Sequence, residues 1–204
     1  MNIYNKLTKL PPEIGKLIKL RCFHASDNQI TKLSPEIGKL IQLLTLNLSN
    51  NKLASIPPEI GLLTQLDWLN LENNKISFVS PEIGRLTELK WLYLNDNKLS
   101  FIPYQIGQLT QLRGFQLSNN KLGFLPSGIG NLTRLKSLGI AYNQLRTLPP
   151  EIGLLTRLEK FVLSDEQLTP LPLPSEIEKL IPLSEHDLSI SDEKKRKRDT
   201  YESN

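Results

Sequence analysis

An asparagine recurs every 23 residues along most of the chain, and no other feature of the sequence restricts its fold as strongly. The series consists of Asn5, Asn28, Asn51, Asn74, Asn97, Asn120 and Asn143, and Glu166 stands at the next position. A fixed period of this length is typical of solenoids, in which each repeat packs only against its neighbours. The sequence therefore predicts one elongated array with a continuous core.

Apolar residues hold fixed positions before each asparagine and define a short strand. In the repeat of Asn74, for example, Leu69 and Leu71 stand five and three places earlier. Because side chains alternate along a strand, these leucines are expected to enter the core, while Trp68 and Asn70 point outward. Strands of successive repeats then lie side by side, which predicts a parallel sheet along the array.

Three further positions complete the repeat. The asparagine is expected to be buried and to satisfy the backbone of the turn after the strand, because its side chain both donates and accepts hydrogen bonds. The segments 57–61 and 149–153 (PPEIG) predict a helical turn that begins at proline, on the side opposite the sheet. Glycines of the same period are expected to allow either close packing or a positive φ: Gly15, Gly38, Gly61, Gly84, Gly107, Gly130 and Gly153.

The repeat, for example PPEIGLLTQLDWLNLENNKI at 57–76, resembles the leucine-rich repeats of the Ras group, which carry L-P-x-E-I-G in a 23-residue unit. This resemblance implies an α/β fold, namely a right-handed solenoid or horseshoe with a concave parallel β-sheet and short helical turns on the convex side. It also implies a protein partner, with a small GTPase or a signalling complex as the expected class.

The array is expected to fill residues 1–183, with about seven full repeats after an N-terminal half-repeat. An amphipathic segment at about 175–183 is predicted to form a helix that caps the core. Residues 184–204 are rich in charge and poor in large apolar side chains, so we expect a disordered tail. Within this tail, a basic run resembles a nuclear localisation signal, although a merely solvated run is equally consistent with it: Lys194, Lys195, Arg196, Lys197 and Arg198.

Composition points to an intracellular protein, either cytoplasmic or nuclear. The single cysteine, Cys22, excludes an internal disulfide, and no run of even ten apolar residues offers a membrane-spanning helix or a signal peptide. Five of the 25 basic and six of the 21 acidic residues lie in the tail, which leaves 20 and 15 for the array. This small and dispersed surplus argues against a nucleic-acid partner.

No pattern in the sequence predicts an enzyme, a cofactor site or a metal site. Cys22 and His24 are two places apart on the first strand, where side chains run parallel instead of converging, and no third residue orients the imidazole. The glycines of the 23-residue series belong to the repeat, and we find no phosphate-binding loop. The chain is therefore expected to bind and not to catalyse.

The outward positions of the strands carry the main candidate site. Trp68, Trp91 and Tyr93 lie on the third and fourth strands, and exposed aromatic side chains with a polar rim are typical of interaction hot spots. The expected rim consists of Asp67, Lys90, Asn70, Glu72 and Asn95. Alternatively, the two indoles stack on each other and only cover the sheet.

A second candidate surface is a row of three phenylalanines, each four residues after a repeat asparagine. Phe78, Phe101 and Phe124 could form a lateral contact strip or a dimerisation edge, or they could shield the asparagine turns. The leading functional hypothesis is a protein-interaction module or scaffold that binds through its concave sheet. The alternative is a structural component of a larger assembly that docks through lateral or terminal edges.

Overall fold

The computed structural model describes residues 6–164 and Ile177 of the 204-residue chain. In this part, seven three-residue strands form one parallel sheet in chain order, and each residue pairs with the residue 23 places further on. The strands are β1 (Cys22–His24), β2 (Thr45–Asn47), β3 (Trp68–Asn70), β4 (Trp91–Tyr93), β5 (Gly114–Gln116), β6 (Ser137–Gly139) and β7 (Lys160–Val162). The predicted sheet is therefore confirmed, with its register.

Seven short 3₁₀ helices of the described residues lie between the turns and the strands. Their bounds are Pro12–Lys16, Pro35–Lys39, Pro58–Leu62, Pro81–Arg85, Tyr104–Gln108, Ser127–Asn131 and Pro150–Leu154. Five of the seven begin at proline, which has no N–H to leave unsatisfied and whose φ suits a helical first turn. The expected helical turns are thus 3₁₀ in type, with bonds between residues three apart, such as that from the N–H of Ile14 to the carbonyl oxygen of Pro11 at 3.0 Å.

The leucines and isoleucines of the repeat fill the space between the sheet and the 3₁₀ helices. The central strand residues Leu46, Leu69, Leu92 and Phe115 have no exposed surface, because repeats cover them on both sides. Burying one such side chain contributes roughly 1.5–3 kcal/mol to folding. The core is consequently continuous along the array.

The repeat asparagines form the expected buried column, which consists of Asn28, Asn51, Asn74, Asn97, Asn120 and Asn143, the last being half-buried. Nδ2 of Asn97 donates to the carbonyl oxygens of Leu71, Leu94 and Asn95 at 3.0–3.1 Å. Its Oδ1 accepts from the backbone N–H of Ile76 at 3.0 Å. One side chain therefore joins two repeats and satisfies buried backbone groups of both.

The residue before each of these asparagines is the one with a positive φ. This column, which we call the exposed column although Asp96 is half-buried, consists of Asp27, Asn50, Asn73, Asp96, Asn119 and Tyr142, with φ between 50° and 58°. Its amides also join repeats, since Asn73 donates to Asn50 at 2.8 Å and Asn50 donates to Asp27 at 3.0 Å. Aspartate and asparagine tolerate this left-handed conformation better than other residues with a side chain.

None of the described glycines has a positive φ, so of the two proposed roles the periodic glycines have that of allowing close packing. A Cβ added to Gly61 would stand 2.6 Å from the carbonyl oxygen of Glu82 in the next repeat. The periodic glycine therefore lets successive 3₁₀ helices approach closely.

The predicted capping helix at 175–183 lies outside the described residues except for Ile177, which is helical and 1% exposed. The predicted tail, 184–204, lies wholly outside them. In the described ranges, no helix has the length and apolar character needed to cross a bilayer.

Candidate protein-binding surface

Strands β3 and β4 bring the three predicted aromatic side chains together on the concave face of the sheet. Trp68 pairs with Trp91 in the sheet register, and Asn70 pairs with Tyr93. Trp68 and Tyr93 are half-buried, while Trp91 is 37% exposed. We refer to Trp68, Trp91 and Tyr93 as the aromatic cluster.

The rings of the aromatic cluster do not stack indole on indole. Trp68 contacts Tyr93, with ring centroids 5.7 Å apart and planes tilted by 51°. Trp91 lies across β5, where its Cδ2 stands 3.4 Å from the position that a Cβ of Gly114 would occupy. Sequence patterns placed these residues in columns but could not give the direction in which each ring leans.

Polar side chains lie beside the aromatic cluster. Lys90 forms an ion pair with Asp67 at 3.4 Å, and Oδ1 of Asn70 accepts from the backbone N–H of Glu72 at 2.9 Å. The ion pair is partly exposed and contributes at most about 1 kcal/mol to stability. Oδ1 of Asn95 is shielded from solvent and receives no hydrogen bond from the described residues. The rim thus holds charges and amides beside exposed aromatic surface, a combination suited to protein recognition.

The phenylalanine row is also exposed, on the flank of the array. Phe78, Phe101 and Phe124 are 43%, 37% and 56% exposed, and Phe78 meets Phe101 edge to face at 5.8 Å between centroids. These fractions show that a substantial part of each ring is open to solvent. The ring contact also covers part of Phe78 and Phe101, so the row combines exposed apolar surface with packing of ring on ring.

A groove of about 660 Å³ lies beside Phe78 and is lined in part by Lys32, Ser55 and Glu82. The Ser80 hydroxyl donates to the Glu82 carboxylate, and this bond lowers the pKa of Glu82 below the ordinary glutamate value. A backbone hydrogen bond and the nearby Arg85 act in the same direction. Glu82 therefore stays ionised at neutral pH and gives the groove an acidic wall.

Residues with catalytic or ligating chemistry are scattered over the described part of the chain. Cys22 and His24 are both exposed on the edge strand β1, and in residues 6–164 no three His, Cys, Asp or Glu side chains converge as a metal site. The basic run predicted as a nuclear localisation signal, 194–198, lies outside the described residues. The aromatic cluster and the phenylalanine row thus remain the two candidate surfaces.

Comparison with known protein families agrees with this architecture. Residues 9–103 match the model of a leucine-rich repeat region, and residues 111–132 match a single leucine-rich repeat. The chain therefore contains leucine-rich repeats and has the corresponding solenoid fold. A search of the curated proteins gives no match.

Solved structures show the same repeat architecture. A leucine-rich-repeat protein of Leptospira interrogans is 34% identical, with a TM-score of 0.67 over 89% of this chain and 52% of the other. The plant peptide hormone receptor RGFR1, solved in complex with RGF2, is 32% identical, with a TM-score of 0.75 over 86% of this chain and 32% of the receptor. A TDR receptor is 30% identical, with a TM-score of 0.74 over 86% of this chain and 31% of the other.

This chain thus spans about half or less of the length of the solved structures it resembles. What the two chains share in each case is the repeat array. Leucine-rich repeats typically serve as protein-interaction modules and not as enzymes, so the comparisons support a binding role of this general kind.

Proposed function

We propose that this chain is a non-enzymatic interaction module that recognises a protein through the aromatic cluster on its concave sheet. The observation that carries the proposal is the exposure of Trp91 beside two further aromatic side chains and a polar rim. Tryptophan and tyrosine contribute large contact areas at low conformational cost, and truncation of such residues at interfaces often costs 2 kcal/mol or more.

The partner class rests on the repeat type. Because the L-P-x-E-I-G unit resembles Ras-group repeats, we propose a small GTPase or another component of an intracellular signalling complex as the partner. The similar peptide hormone receptor was solved in complex with RGF2, which supports a peptide or protein as the general class of partner. In this proposal the chain acts as a scaffold and supplies no chemistry.

The experiment compares Trp91→Ala with the wild type against two defined probes. These are purified small GTPases loaded with GDP or a GTP analogue, and short random peptides displayed on phage and selected on the wild-type protein. Trp91→Ala should weaken binding by about 2 kcal/mol, some thirtyfold. Its free energy of unfolding should fall by less than about 1 kcal/mol, because the indole lies on the outward face.

Phe101→Ser is the control, since Phe101 is as exposed as Trp91 but lies on the flank. Binding that survives Phe101→Ser and is lost in Trp91→Ala supports the concave site. The reverse pattern would replace it with the assembly hypothesis, in which the phenylalanine row is the docking edge. Peptide binding without GTPase binding would retain the interaction module and reject the GTPase as partner.

A further inference from the structure

Two glycines lie at outward positions of the sheet and are nevertheless buried. Gly114 begins β5 and Gly139 ends β6, in the two columns that carry side chains such as Trp68 and Tyr93 on other strands. The residues at the position of Gly114 on β1 and β7, Cys22 and Lys160, are exposed. A residue without a side chain can be buried on this face only if a neighbour covers it.

Trp91 is the neighbour that covers Gly114. The two residues are sheet partners, and a Cβ added at Gly114 would overlap the Cε3 and Cζ3 atoms of the indole. The six-membered ring of Trp91 therefore occupies the space in which any other residue at 114 would begin its side chain. The close approach of ring to backbone depends on glycine at this position.

The same arrangement occurs one strand further on. A Cβ added at Gly139 would overlap Oε1 of Gln116, whose Nε2 donates to the Ser137 hydroxyl at 3.0 Å. In both places a side chain lies across the next strand and covers a glycine there. The repetition indicates that the small residues of β5 and β6 determine how the larger side chains of β4 and β5 are placed.

We propose that Gly114 is a specificity-determining residue of the concave surface, because its lack of a side chain lets the Trp91 indole lie against β5. With Trp68 against Tyr93, Trp91 over Gly114 and Gln116 over Gly139, a larger side chain contacts the next strand at each step from β3 to β6. Such a surface fits a partner that lays an extended segment across the strands and not one that inserts a side chain between them. The effect of Gly114 on binding rests on the proposed function, whereas the contact between Trp91 and Gly114 does not.

Preorganisation is the physical reason for the effect on binding. A ring already held in its bound position loses little conformational freedom when the partner docks, whereas a freely rotating indole must be ordered first. Gly114→Ala should therefore weaken binding although Trp91 is still present. The residue acts through Trp91 and is a positioning residue.

The first test is spectroscopic and uses no partner. In a Trp68→Phe background, Trp91 is the remaining tryptophan of the chain, so its emission and acrylamide quenching report its own exposure. Gly114→Ala should shift the emission to longer wavelength and raise the quenching constant by roughly twofold. Gly123→Ala is the matched control, because no atom lies within 4 Å of a Cβ added there. Unchanged quenching in Gly114→Ala would overturn the proposal.

A thermal-unfolding cycle separates positioning of Trp91 from a backbone requirement for glycine. If the indole is the obstacle, any loss in Tm caused by Gly114→Ala, expected to be roughly 2–4 °C, should vanish in a Trp91→Ala background. The same loss in both backgrounds would mean that the backbone itself needs glycine at 114, and the proposal would be wrong. The cycle stays informative even if the single variant is poorly folded.

Binding of the selected peptides is the last measurement. Gly114→Ala should lower their affinity by roughly tenfold, and it should add nothing to the loss already present in Trp91→Ala. Full affinity in Gly114→Ala, together with lost affinity in Trp91→Ala, would overturn the specificity role. Full affinity in both variants, with the spectroscopic shift still present, would contradict the proposed concave site and leave the placement of Trp91 by Gly114 intact.

Discussion

Asp96 and Asn97 are neighbours in one turn, but they stabilise the array in different ways. The side chain of Asn97 is buried and makes four hydrogen bonds with backbone groups of two repeats. Asp96 is half-buried, has a φ of 56° and accepts from the amide of Asn119. In the buried column the side chain replaces missing backbone partners, whereas in the exposed column the backbone conformation is the main requirement.

This difference shows which positions of the repeat tolerate substitution. The buried column is asparagine in all six described repeats, since few side chains can donate and accept at that point. The exposed column accepts Asp, Asn and even Tyr142, because its side chains are not required to satisfy buried groups. Chemically similar residues one place apart are therefore under different physical constraints.

The largest expected effect is that of Asn97→Ala. The substitution leaves buried backbone groups of two repeats without partners, so the free energy of unfolding should fall by about 1–3 kcal/mol. Urea denaturation followed by circular dichroism measures it. A loss below about 0.5 kcal/mol would remove the basis of the comparison, because the buried column would then be no more demanding than the surface. Glu166 stands at the next position of the series, and its replacement by alanine should lower the free energy of unfolding much less, although Glu166 itself lies outside the described residues.

A smaller effect is expected from Asn73→Ala, which tests the conformation of the exposed column. Asn73 has a φ of 50°, where alanine is disfavoured by roughly 1–2 kcal/mol and glycine is not. The exposed hydrogen bond to Asn50 contributes little by comparison. Asn73→Ala should thus lower stability by about 1 kcal/mol and Asn73→Gly by a few tenths. Equal losses for the two variants would show that the amide matters and not the backbone.

The smallest expected effect is a gain in stability. Tyr142 has a φ of 53° and a bulky side chain that is 65% exposed, so it occupies the left-handed region at a cost. Tyr142→Asn should raise the free energy of unfolding by roughly 0.5 kcal/mol, and a small increase in Tm would detect it. A loss of stability would show that the Tyr142 ring has contacts worth more than the backbone strain.

The fold could be predicted from the sequence because its determinants repeat at a fixed spacing. Asn74, Leu69 and Gly61 each occupy positions where one chemical property suffices, and the 23-residue register assigns all of them at once. The left-handed residue was not predicted, although Asn50 and Asn73 directly before the buried column were a usable signal. A positive φ is expected at the periodic glycines, which the structure uses for close packing instead.

The candidate surface could be predicted only in part. The strand positions of Trp68, Trp91 and Tyr93 followed from the register, but the contacts of their rings depend on the volumes of neighbouring side chains. Gly114 provided that information, since it is an empty position in a column of side chains. A pattern of inward and outward positions describes the side chains that are present. It does not show that a glycine leaves room for the side chain of a neighbouring strand.

Each described strand pairs with the next in the same register, and this arrangement determines the order in which the repeats are expected to unfold. Each repeat bonds only to the one before and the one after, so opening a terminal repeat breaks one interface while opening an inner repeat breaks two. Local unfolding should therefore begin at the terminal repeats of the array and proceed inward. A bound partner that bridges several strands from the aromatic cluster, on β3 and β4, would resist this opening, because it would tie several repeats together.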